Sequence, residues 1–102
     1  MAVSLTKSPA PVADINAPRS YTLFGDPDHA WLCVTEEEAK RLNVYDRISD
    51  CSYRKYDLLY LEEDCDAPLF IEAKKALGEP YHIKYYPSNT DSPIRNLRHF
   101  EA

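Results

Sequence analysis

Asp26, Asp28 and His29 fall within four residues, and carboxylate oxygens beside an imidazole are a ligand set for a divalent cation. If Asp64 and Asp66 came to the same end of a sheet, the group would suit a metal-dependent hydrolase. The spacing fits neither a calcium-binding loop nor a zinc site, and Gly25-Asp26-Pro27-Asp28 is fully explained as turn chemistry. His29, Trp31 and Cys33 alternate along one strand and share a face, which puts an imidazole near a thiol. Trp and Cys are also ordinary core residues, and no local signature marks Cys33, Cys51 or Cys65 as a nucleophile. Tyr81, His82, Lys84, Tyr85, Tyr86, Arg95, Arg98 and His99 mix aromatics with bases, as surfaces for single-stranded nucleic acid do. Two glycines in 102 residues cannot build a phosphate-cradling loop. The residues therefore point away from an enzyme, and they imply neither a cofactor nor a resident metal.

The elements that must position these groups follow from pattern. Residues 1–20 carry Pro9, Pro11 and Pro18 without periodicity and read as a flexible arm, with one compact domain over 21–102. Tyr21–Phe24 and Ala30–Val34 are strands on either side of the Gly-Asp-Pro-Asp turn. Thr35-Glu36-Glu37-Glu38 is a capping box that opens a short helix over 36–42, and Asn43 suits a left-handed cap. Ser49–Tyr53 and Leu58–Leu61 flank a polar four-residue loop as a hairpin. Asp66 as N-cap, Pro68 in the first turn and Gly78 at the end bound a second helix. Its apolar stripe runs through Leu69, Ala73, Ala76 and Leu77. Tyr81–Tyr86 alternates as a last strand, and Ile94, Leu97 and Phe100 suggest one docked helical turn. The order β-β-α-β-β-α-β predicts a small α+β domain, with a mainly antiparallel sheet and two helices on one face.

Acids outnumber bases by 17 to 12, a net charge of −5, which argues against general nucleic-acid binding. The imbalance is local: residues 26–72 hold 13 acids against 5 bases, whereas 73–102 hold 5 bases against 3 acids. The runs 36–38 and 62–66 both lie at helix starts, where they would complement the dipole. They would also offer an acidic surface to a basic groove on a protein partner. That surface comprises Glu36, Glu37, Glu38, Glu62, Glu63, Asp64 and Asp66, with Tyr53 and Tyr56 as aromatic contacts.

Two phrases carry a resemblance: Gly25-Asp26-Pro27-Asp28-His29-Ala30-Trp31-Leu32, and Tyr60-Leu61-Glu62-Glu63-Asp64-Cys65-Asp66-Ala67 leading into the second helix. They resemble a group of small accessory proteins carried by bacteriophages, prophages and plasmids, over roughly residues 21–100. The chain departs from that pattern at Asp28 and Ala30, where glycines are expected. The resemblance implies a setting, mobile genetic elements in bacteria, and not a mechanism. In that setting an acidic chain without catalytic apparatus is expected to be an anti-defence inhibitor, similar in kind to small anti-CRISPR proteins. Its partner would be a bacterial host protein or defence complex.

No apolar run approaches the 18 or so residues of a membrane span. The start lacks the apolar core of a signal peptide, and three unmatched cysteines fit a reducing compartment, so the expected location is the bacterial cytoplasm. A thin core in a chain of this size leaves homodimerisation open.

Overall fold

The computed structural model describes residues 18–101, so most of the arm expected over 1–20 lies outside the described residues. Its last two positions, Arg19 and Ser20, are already part of the domain. The chain runs β1 (Arg19–Gly25), β2 (Ala30–Thr35), α1 (Glu36–Arg41), a 3-10 turn (Tyr45–Arg47), β3 (Tyr53–Lys55), β4 (Leu58–Glu62), α2 (Ala67–Ala76), β5 (Tyr81–Pro87), a second 3-10 turn (Pro93–Asn96) and β6 (Arg98–His99). One six-stranded sheet takes the order β5-β1-β2-β4-β3-β6. The fold is α+β.

The sheet is mixed, which corrects the mainly antiparallel expectation. Four neighbouring pairs are antiparallel, but β5 lies parallel to β1, from Arg19 opposite Tyr81 to Gly25 opposite Pro87. Alternating hydrophobicity defines a strand but not its direction. Direction here follows from α2, which carries the chain from β4 across two strands to the far edge, as parallel crossovers require. The helical turn expected in the tail is the 3-10 turn Pro93–Asn96, and a short strand follows it, so that Ile94 and Phe100 part company there. Phe100 enters the main core, whereas Ile94 packs on the opposite side of the sheet.

Residues opposite one another in register share a face. On one face Tyr21, Leu32, Val34, Leu59 and Leu61 meet Ala39 and Leu42 from α1 and its end, and Ala67 and Phe70 from α2. Tyr21 and Phe70 stack edge to face at 5.2 Å. The other face is aromatic: Phe24 touches Tyr60 and Tyr86, and Trp31 leads through Tyr53 to His99. The tail covers part of it, leaving a cleft of about 380 Å³ among Phe24, Tyr60, Tyr86, Ile94 and Leu97.

Local chemistry explains most boundaries. Thr35 Oγ1 accepts the Glu38 amide at 3.1 Å, and Lys40 and Arg41 close α1 before Asn43 turns with φ 62°. The Glu38 side chain does not reach back to complete the capping box, because it faces inward. The hairpin is tighter than expected, with Lys55 opposite Leu58 and Tyr56 at its tip at φ 56°. Asp66 does not cap α2 with its side chain. Of the expected stripe on α2, Leu69 and Ala73 pack against the core, but its fully buried positions are Ala67, Phe70 and Lys74, whereas Ala76 is exposed and Leu77 is 59% exposed.

Candidate functional site

The two acidic runs occupy opposite ends of β4. Thr35, just before Glu36, pairs with Leu58, whereas Trp31 pairs with Glu62. Five residues of strand separate those ends by about 13 Å. The structure does not join 36–38 and 62–66 into one surface.

At the first end most of the charge is used internally. Glu38 is buried; its Oε1 accepts from the Tyr21 hydroxyl at 2.8 Å and its Oε2 from Arg41 Nε at 2.7 Å. Arg41 then forks onto both Glu79 oxygens at 2.7 and 2.8 Å, and Lys74, 1% exposed, reaches Glu79 at 3.1 Å. Burial opposes ionisation of Glu38, yet the hydrogen bonds from Arg41 and Tyr21 outweigh it and hold its carboxyl below the usual range. The Arg41 fork lowers Glu79 to about 2. Burial, reinforced by the neighbouring Glu38 carboxylate, pushes the Tyr21 phenol well up. Glu36 is paired with Lys40 at 2.7 Å and with Arg54, and both draw its carboxyl down. Glu37 alone of the three is exposed and free of ion pairs among the described residues. Tyr56 lies near this end, 86% exposed at the hairpin tip, where the Glu36 amide donates to the Asp57 carbonyl.

The second end divides between buried anchors and exposed acids. Asp66, 3% exposed, accepts from Ser49 N at 3.1 Å, Ser49 Oγ at 2.9 Å and Ser52 Oγ at 2.5 Å. Glu62 is buried; it accepts the Asp64 amide at 2.9 Å and lies 3.2 Å from His29 Nδ1. Asp66 and Glu62 therefore hold turns together rather than face a partner. Glu63 and Asp64 remain exposed, and the same end gathers Asp28 and Asp50, also exposed. Asp50, Glu63 and Asp64 have no ion pair among the described residues. Tyr53 is half-buried on the aromatic face between Trp31 and His99. Beside the acids a groove of about 410 Å³ is lined by His29, Trp31, Cys51, Tyr53 and Arg95.

The candidate metal residues are positioned for another task. Asp26 accepts from the amides of Asp28, His29 and Ser92 at 3.1, 3.0 and 2.9 Å, and from Arg95 Nε and Nη2 at 2.6 and 3.0 Å. Arg95 holds its carboxyl far below the usual range. Five donors leave the carboxylate no lone pair for a cation. Asp26 clasps the tail to the β1–β2 turn, while Arg95 lies over the Trp31 ring at 5.4 Å. Among the described residues no three His, Cys, Asp or Glu side chains converge as a metal site. Cys33 is half-buried, and its thiol is raised by burial.

The basic and aromatic residues of the C-terminal part are dispersed. His82, Lys84 and Tyr86 share one face of β5, and Tyr81 and Tyr85 lie on the other. Arg95 is held by Asp26, and His99 Nδ1 meets the Asp50 carbonyl at 2.7 Å. Sequence reasoning missed Arg41, Lys74, Glu79 and the Asp26–Arg95 clasp. The one available signal was Lys74, four residues after Phe70 on the same helix face. Among the described residues no helix is long and apolar enough to cross a membrane. Comparison with family models, curated proteins and solved structures finds no match.

Proposed function

We propose that this chain is a non-catalytic binding factor of a bacterial mobile genetic element. It docks through its acidic end onto a basic, nucleic-acid-binding groove of a host defence protein. The carrying observation is the unequal fate of the two acidic runs: one is largely neutralised within the domain, while Asp50, Glu63 and Asp64 stay exposed beside Asp28 and have no ion pair among the described residues. The turns that carry them are fixed by the Asp66 and Glu62 hydrogen bonds, so little ordering cost opposes binding. Fixed like charges steer a basic partner and set a salt-dependent association rate. The resemblance in the two phrases around 25–32 and 60–67 supplies the bacterial setting.

The test is affinity capture from bacterial extract with the tagged chain, followed by titration against the captured protein. Reversing Asp50, Glu63 and Asp64 to Lys is expected to weaken the complex by at least about tenfold and to flatten its salt dependence. Unchanged affinity and salt slope would remove the electrostatic reading. A salt-sensitive gel shift of labelled single-stranded DNA or RNA, with no captured protein, would favour direct nucleic-acid binding instead.

A further inference from the structure

Two of the three thiols meet across the acidic end. Cys51 Sγ and Cys65 Sγ are 2.7 Å apart, both residues are exposed, and neither is in a disulfide. Their juxtaposition is built by the surrounding chain. The Ser49–Ser52 turn is tied to Asp66, the residue after Cys65, through three hydrogen bonds, and the Cys51 amide donates to Ser49 Oγ at 3.2 Å. Cys65 N and Asp66 N both donate to the Glu62 carbonyl, which fixes the other side. Neither thiol has to unfold anything to reach its neighbour.

We propose that Cys51 and Cys65 form a reversible dithiol–disulfide pair that reacts with small uncharged organic disulfides. Asp50 adjoins Cys51 in the chain, and Glu63 and Asp64 immediately precede Cys65; all three are exposed, and their charge disfavours an anionic oxidant, which sets the preference for a neutral one. The Cys51 thiol loses its proton to solvent, and the thiolate attacks one sulfur of the disulfide and expels one thiolate. This leaves a mixed disulfide on Cys51. Cys65 then loses its proton, attacks the Cys51 sulfur and expels the second thiolate. The two expelled thiolates take up the two protons, so the protein is oxidised by two electrons and the organic disulfide is reduced to two thiols. The order follows from the geometry of the pair: Cys65 Sγ donates to Cys51 Sγ at 2.7 Å, which steadies a thiolate on Cys51 and raises the Cys65 thiol. Cys51 therefore attacks first and Cys65 resolves. Cys33 stands apart, half-buried beside Tyr60 on the aromatic face, and serves as an internal control. The new bond would lock the turns that bear the exposed acids.

The experiment treats the full chain with 2-hydroxyethyl disulfide and follows it by intact-mass and peptide mass spectrometry. The expected product has lost two hydrogens, links the peptides containing Cys51 and Cys65, and keeps one free thiol at Cys33. Cys65→Ser is expected to stop at the mixed disulfide on Cys51, with dithiothreitol restoring the thiol. Stable mixed disulfides on both cysteines of the unaltered chain would overturn the proposal, as would a link to Cys33, a cross-linked dimer, or no reaction within the time in which free cysteine reacts.

Discussion

Two acidic runs that look alike in sequence, Glu36-Glu37-Glu38 and Glu62-Glu63-Asp64, meet opposite fates in the fold. The first sits against α2 and the approach to β5, where Arg41 and Lys74 turn its inward carboxylate into part of a buried ionic network. The second turns over the end of the sheet, where the Asp64 amide and the His29 ring meet the buried Glu62 carboxylate, and among the described residues no base pairs with Glu63 or Asp64. A charge run thus has no fixed meaning. What decides it is whether the neighbouring element brings cations or only hydrogen-bond donors, and whether the side chain faces inward.

The comparison can be broken most severely at the first end. Glu79→Ala would leave Lys74 buried with Glu38 as its remaining carboxylate at 3.9 Å, and is expected to cost roughly 3 kcal/mol, read as a lower Tm in thermal unfolding. Asp26→Asn should free the tail without disturbing α1 or α2. Limited proteolysis would then cut between residues 88 and 97 well before the rest of the domain, and an unchanged cleavage pattern would refute the clasp. Acid titration separates the ends again. Glu79 ionises at about 2 in the folded chain against an ordinary 4.5, so its contribution is complete above about pH 4.5 and is lost as pH falls toward 2. Glu79→Gln should flatten that part of the stability profile, whereas Glu63→Gln with Asp64→Gln should leave it, and the Tm at neutral pH, unaltered. The smallest effect belongs to Leu77→Gln, expected within about 0.5 kcal/mol, because that side chain lies outside the core.

What was legible in the sequence was what neighbours decide. Thr35 next to three acids marks a helix start, Asn43 and Gly78 mark positions of positive φ, and Gly25-Asp26-Pro27-Asp28 marks a turn; each needs only a few adjacent residues. What failed depended on distant partners. The α2 stripe is legible at Leu69 and Ala73 but not at Lys74, which counts as polar until Glu38 and Glu79 are seen beside it. The parallel pairing of β5 depends on where α2 delivers the chain, and no residue of Tyr81–Pro87 encodes that. Asp26 was read as a potential ligand because nothing within its own turn discloses five donors, two of them on a guanidinium 69 positions away. Of the expected partner surface, Glu38, Glu62 and Asp66 are anchors, and the exposed acids Asp28 and Asp50 join Glu63 and Asp64 instead.

The Asp26–Arg95 clasp also has a consequence for the timing of folding. A ribosome adding about 5–20 residues per second needs roughly 3–14 s to pass from Asp26 to Arg95, 69 positions later. Throughout that interval the turn is made but its carboxylate lacks its cation, and Trp31 lacks the guanidinium that will cover it. The aromatic side of the nascent sheet stays open for seconds, and the helix-covered side, whose core includes Phe100, is completed only after it.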